Sequence, residues 1–73
     1  MKFQVKVVGR DLEIEIHASS PLQAAEYAAW DLAPTGTVRV KVGMNLYEIR
    51  PLMTYAVEKL PLDYAERIET EER

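Results

Sequence analysis

HASSPLQAAEYAAWDLAPTG, residues 17–36, predicts one α-helix with clear signals at both of its ends. Ser20 suits the N-cap because its hydroxyl accepts a hydrogen bond from a backbone N–H of the first turn. Pro21 suits the first helical position, and Gln23 completes a capping box. Pro34 ends the helix one or two residues earlier, since the residue before a proline avoids the α region.

The predicted helix has one apolar face and one flank with two large aromatic side chains. At about 3.6 residues per turn, an apolar stripe forms from Leu22, Ala25, Ala28, Ala29 and Leu32. Gln23, Tyr27 and Trp30 lie away from that stripe. Small alanines on the stripe let the helix pack close to a sheet.

The aromatic flank has two interpretations that the sequence leaves open. In the first, the C-terminal segment folds back over Trp30 and buries its own apolar side chains, which are Leu60, Leu62, Tyr64 and Ile68. In the second, Tyr27 and Trp30 are held outward, since a Trp–Tyr pair is typical of interface hot spots.

Strands with a period of two flank the helix on both sides. MKFQVKVV and LEIEIH precede it as a predicted hairpin, and TVRVKV and LYEIR follow it as a second hairpin. The order is ββαββ, and we predict an α+β domain with one helix on a four-stranded, mostly antiparallel sheet. A right-handed crossover gives the strand order 2-1-3-4.

The chain after the fourth strand is less clearly patterned. Residues 52–60 fit either an edge strand or a short helix, and the tyrosine and valine in them favour the strand. Residues 62–73 are rich in helix formers, so a short C-terminal element is expected. We take residues 1–73 as one domain, with a core of 1–57 and an acidic extension of 58–73.

Length, charge and composition limit the classes of function. A chain of 73 residues with no cysteine and one histidine excludes disulfides and cysteine-rich zinc sites. The net charge of -3 comes from the extension, because residues 1–57 contain six acids and six bases. The N-terminus has no apolar run like a signal peptide or membrane span. We predict a cytoplasmic protein without cofactor, metal or membrane partner.

Candidate catalytic groups are few. His17 lies at the end of the second strand on the same face as Glu13 and Glu15, but an open sheet face has no dry pocket for a metal or a general base. Ser20 is explained by its capping role. We therefore predict that the protein is not an enzyme.

A basic patch on the outer face of the sheet supports an alternative function. Lys6, Arg39, Lys41 and Arg50 come together there if the strand order is correct. This arrangement makes a nucleic-acid-binding module the alternative hypothesis. The face has no aromatic side chain on which bases stack, so a solvated face of mixed charge is favoured.

The strand-to-helix junction EIHASSPLQAAEYA, with its pattern A-S-S-P-x-x-A-A, resembles a known type of protein. Residues 12–29 resemble small accessory proteins of phages, plasmids and integrated elements, such as the DpnD/PcfM-like group. They are also similar to the corresponding junction of some small type I anti-CRISPR inhibitors. The resemblance implies a binding protein with no active site of its own.

The expected function is therefore that of a small binding protein. It is expected to be encoded by a phage or mobile element, to dock on a larger protein or nucleoprotein complex, and to inhibit or modulate it by steric occlusion. The expected partner-binding residues are Gln23, Tyr27, Trp30, Tyr64, Glu66 and Glu69. A structural homo-oligomer, such as a dimer in which helices or edge strands meet, is a further hypothesis.

Overall fold

A computed structural model describes residues 1–61 of the protein. The described chain has five strands and one helix. In order they are β1 (Lys2–Val7), β2 (Leu12–His17), α1 (Pro21–Leu32), β3 (Val38–Val42), β4 (Asn45–Pro51) and β5 (Tyr55–Leu60).

The strands form one sheet in the order β2-β1-β3-β4-β5. Every neighbouring pair is antiparallel. The predicted α+β class and the predicted order of the first four strands are confirmed. The prediction of four strands is wrong, because β5 adds a fifth at the edge beside β4.

β5 forms because the chain turns back immediately after Pro51. Residues 52–54 form the turn between β4 and β5, and Pro51 pairs with Tyr55 directly next to this turn. Tyr55 and Val57 pack against the helix-side core, which is the alternation of a half-buried strand. Residues 55–60 are therefore a strand rather than a helix. This strand extends beyond Val57, where the sequence analysis ends the core and begins the acidic extension.

The N-terminus of α1 is capped by three neighbouring polar residues. Ser20 Oγ accepts a hydrogen bond from the Gln23 backbone N–H at 3.1 Å, as predicted. Gln23 Oε1 in turn accepts from the Ser19 backbone N–H at 2.7 Å and from Ser19 Oγ at 2.8 Å. The return bond of the capping box thus goes to the residue before the N-cap rather than to the N-cap itself.

Four alanines form the buried face of α1. Ala24, Ala25, Ala28 and Ala29 have no exposed surface. Leu22, which the sequence placed on this face, is instead 44% exposed. The reason is steric: the alanines allow the helix close to the sheet, and the bulkier leucine side chain lies at the margin of that contact.

The core lies between α1 and the sheet. It is built from β-branched and other apolar side chains that point to the helix side of each strand, including Val5, Val7, Ile16, Val40, Val42 and Ile49. A second, small apolar cluster lies on the other side of the sheet. There Leu46 is only 1% exposed, and Val8 and Leu60 pack against it.

The one helix of residues 1–61 is too short and too polar to cross a membrane, and the described part of the chain contains no other helix.

The helix ends on a residue that does not favour its backbone conformation. Ala33 has φ 45° and ψ 55°, in the left-handed region, and its N–H donates to Ala29 O at 3.0 Å. A side-chain Cβ makes this conformation unfavourable, by about 1 kcal/mol. Glycine removes that cost.

We expect Ala33→Gly to stabilise the protein by about 1 kcal/mol and to raise Tm by about 4–8 °C. Thermal denaturation followed by circular dichroism measures this change. The control is Thr35→Gly, because Ala33 is the one described non-glycine residue with positive φ. Thr35→Gly should lower Tm. An equal change in Tm for the two variants would show that the backbone conformation of Ala33 costs no stability.

Tyr47 gives the fold a dependence on alkaline pH. Its side chain is buried on the helix side of β4, and this burial raises the pKa of the Tyr47 hydroxyl above 10.0. The unfolded chain loses this proton near pH 10, whereas the folded chain keeps it to higher pH. The resulting stabilisation is complete below about pH 10 and is lost as the pH rises through the folded-state pKa.

We expect the free energy of unfolding to fall above about pH 10, and to fall less steeply in Tyr47→Phe. Urea denaturation at neutral and at alkaline pH measures both slopes. Tyr27→Phe is the matched control, because Tyr27 is exposed. If the two variants have the same pH dependence, Tyr47 is not its source.

Candidate interaction site

Trp30 stands at the surface on the last turn of α1 and is 64% exposed. Its ring meets that of Tyr55 edge to face, with centroids 5.2 Å apart and an interplanar angle of 86°. Such pairs add about 0.5–1.5 kcal/mol beyond the area they bury. One side of the indole is therefore held by β5, while most of its surface is open to solvent.

Tyr27 and Gln23 lie on the same outward side of the helix as Trp30. Tyr27 is 46% exposed. Gln23 is half-buried, and its Oε1 is occupied by the two hydrogen bonds from Ser19 that cap the helix. Of the three helix residues predicted to bind a partner, two are thus exposed aromatics, and Gln23 fixes the helix beneath them.

The partner-binding residues predicted in the acidic extension cannot be placed beside this surface. Tyr64, Glu66 and Glu69 lie outside the described residues. The first interpretation of the aromatic flank places Leu60 over Trp30. In the structure Leu60 is on the opposite side of the sheet, against Leu46. The register explains this correction: Leu60 pairs with Leu46, so both point away from the helix.

The four cations of the alternative hypothesis do share the outer face of the sheet. Lys6 lies directly opposite Lys41 across β1 and β3. Arg39 and Arg50 are each in an ion pair with Glu48. The patch is therefore interrupted by the carboxylate of Glu48, which the sequence places on the same outer face.

Glu48 joins the two arginines. Its carboxylate lies 3.4 Å from Arg39 Nε and 3.8 Å from Arg50 Nε, and its side chain is 17% exposed. Glu48 also lies opposite Glu58 across β4 and β5. Arg50 Nη2 contacts Glu58 Oε2 at 3.1 Å, so Arg50 separates two carboxylates that would otherwise repel.

His17 lies at the surface, as predicted. Its Nε2 is 3.9 Å from Glu15 Oε2, and both side chains are well exposed. Lys2 and Gln4 approach the same carboxylate from β1. Across residues 1–61, no three histidine, aspartate or glutamate side chains come together as a metal-ligand set.

A surface depression of about 420 Å³ lies where α1 ends and β3 begins. Arg10 from the β1–β2 turn lines it, together with Thr35 and Thr37 from the loop before β3. Among the residues that the structure describes, its lining contains no histidine, aspartate or glutamate. General acid–base catalysis needs such groups within hydrogen-bond reach of the reacting atoms, so this depression offers hydroxyls and a cation but no proton-transfer pair.

Comparison with protein families, with curated proteins and with solved structures finds no match to this chain. The resemblance to phage and plasmid accessory proteins and to anti-CRISPR inhibitors therefore stays a hypothesis based on residues 12–29.

Two contacts of these surfaces are not predicted by the sequence analysis. Tyr55 supports Trp30, and Glu48 neutralises the arginines. The alternation of residues 55–57 was the available signal for Tyr55. Glu48 is already placed by the sequence on the same face as Arg39 and Arg50, and only its ion pairs with them are not predicted.

Trp30 is the single tryptophan, so its fluorescence measures this surface directly. We expect emission typical of an exposed indole and ready quenching by acrylamide. Tyr55→Ala removes the ring that holds one side of Trp30, so it should shift the emission further to the red and increase quenching. The control is Tyr27→Ala on the same helix. A blue-shifted spectrum protected from acrylamide would contradict the exposed position.

Proposed function

We propose that the protein is a small, non-enzymatic binding protein that docks on a larger protein or nucleoprotein complex through the exposed flank of α1. The observation that carries this proposal is Trp30, which is 64% exposed although its ring is anchored on Tyr55. An aromatic side chain that is already held in place loses little conformational entropy on binding. Trp and Tyr are also enriched among the residues that dominate binding energy.

The rest of the described surface supports a binding role over a catalytic one. The depression at the end of α1 lacks an acid–base pair. The ion pairs of the outer face neutralise much of the positive charge that a nucleic acid would contact. Nucleic-acid binding through Lys6, Arg39, Lys41 and Arg50 is therefore the weaker hypothesis.

The proposed mode of action is steric. A helix flank that covers the working surface of its target inhibits the target without any chemistry of its own. A source in a phage or mobile element, an inhibitory role like that of anti-CRISPR proteins, and a cytoplasmic site of action are part of this proposal. They are supported by the resemblance of residues 12–29 and by the lack of cysteine.

We expect Trp30→Ala to weaken capture of the target by at least tenfold, because a central aromatic anchor contributes about 2 kcal/mol or more. Immobilised protein and a lysate of the source cell provide the measurement. Met53→Ala is the matched control, since Met53 is a fully exposed apolar residue at the β4–β5 turn. Equal capture by the two variants would refute docking through the helix flank.

The homo-oligomer hypothesis has its own test. Sedimentation equilibrium separates a chain of 8.4 kDa from a species of twice that mass. A dimer that persists in Trp30→Ala would place its interface elsewhere, for example at β2 or β5, the outer strands of the sheet formed by residues 1–61.

A further inference from the structure

The exposed side of α1 has a defined arrangement of aromatic and acidic side chains. At about 100° per residue, Trp30, Gln23 and Tyr27 follow one another along the middle of the exposed side. Glu26 lies next to Trp30 on one margin, and Asp31 lies next to Tyr27 on the other. The aromatic pair is therefore bordered by a carboxylate on each side.

The helix contains no cation to neutralise these carboxylates. Its sequence, PLQAAEYAAWDL, has two acidic residues and no basic residue. Glu26 and Asp31 make no ion pair among the described residues, and both are exposed. Lys59, on the helix side of β5, makes no ion pair with either carboxylate among residues 1–61.

From this arrangement we infer that the partner presents a basic protein surface, with arginine or lysine side chains that stack on Trp30 and pair with Glu26 and Asp31. The inference rests on the proposed docking function and names its partner class. A cation over the face of tryptophan is attracted by the ring, and a nearby carboxylate adds an ion pair to the same group. An aromatic centre with a polar rim is also the usual anatomy of a binding hot spot.

The same charges disfavour the other occupants of this face. Nucleic acid and anionic membranes carry phosphates, which Glu26 and Asp31 repel. In a two-fold dimer through this face, the same surface of each copy meets the other, so the carboxylates of the two copies approach one another. A basic protein surface is the occupant for which aromatic contact and charge act together.

The test uses two synthetic helical peptides as probes. They share one leucine face and differ only in the positions that flank this face, which are all arginine in one peptide and all glutamate in the other. Neither contains tryptophan, so the fluorescence of Trp30 in the full-length protein reports binding. We expect the arginine peptide to bind at least about tenfold more tightly than the glutamate peptide, and its binding to weaken with added salt.

Charge reversal identifies the source of this preference. Glu26→Lys combined with Asp31→Lys should reverse it, so that the glutamate peptide binds more tightly. A cation at position 31 is favourable at the C-terminal end of a helix, so the variant is expected to fold. The control is Asp11→Lys combined with Glu13→Lys, which changes the net charge equally at exposed positions of the β1–β2 hairpin and should keep the wild-type preference.

The outcomes separate this inference from the proposed function. Equal binding of both peptides, binding of neither, or an equal response of the helix variant and the control would overturn the basic partner. If the glutamate peptide binds more tightly to the wild type and Trp30→Ala abolishes that binding, the basic partner is refuted while docking through Trp30 stands. If Trp30→Ala retains full capture of the target, the docking function itself is refuted.

Discussion

The close contact between four alanines of α1 and the sheet determines the arrangement of the rest of the protein. Ala24, Ala25, Ala28 and Ala29 have no exposed surface, so the helix backbone lies close to the strands. Rotating the helix would bring a larger side chain into that contact and move the helix away from the sheet. The alanine face therefore sets which residues point outward, and these include Tyr27 and Trp30.

The two sides of the sheet have different chemistry as a result. On the helix side, valines and isoleucines pack under the alanines, and the helix exposes aromatics between two carboxylates. On the other side, Arg39, Glu48, Arg50 and Glu58 form a chain of ion pairs across three strands. The exposed pair Arg50–Glu58 contributes little to stability, and the whole chain of ion pairs reduces the positive charge that this face presents.

Much of the fold could be predicted because its signals are local. The alternation of β1 to β4, the cap at Ser20 and the stop at Pro34 each depend on a few neighbouring residues. The sequence does not decide β5, because residues 52–60 fit either a strand or a helix, and pairing with β4 decides between them. The sequence places Leu22 on the buried face because an ideal helical wheel gives only the direction of each side chain. It does not show that the buried face is filled by four alanines, which leave Leu22 at the margin.

The candidate site was predictable in part. The sequence by itself determined that Tyr27 and Trp30 lie on the flank away from the main apolar stripe, because helical periodicity depends only on spacing. Only the tertiary structure decided that Tyr55 supports Trp30 and that Glu48 lies between Arg39 and Arg50. These contacts join residues that are distant in the chain, and they depend on strand order and register, which arise from the packing of the whole sheet.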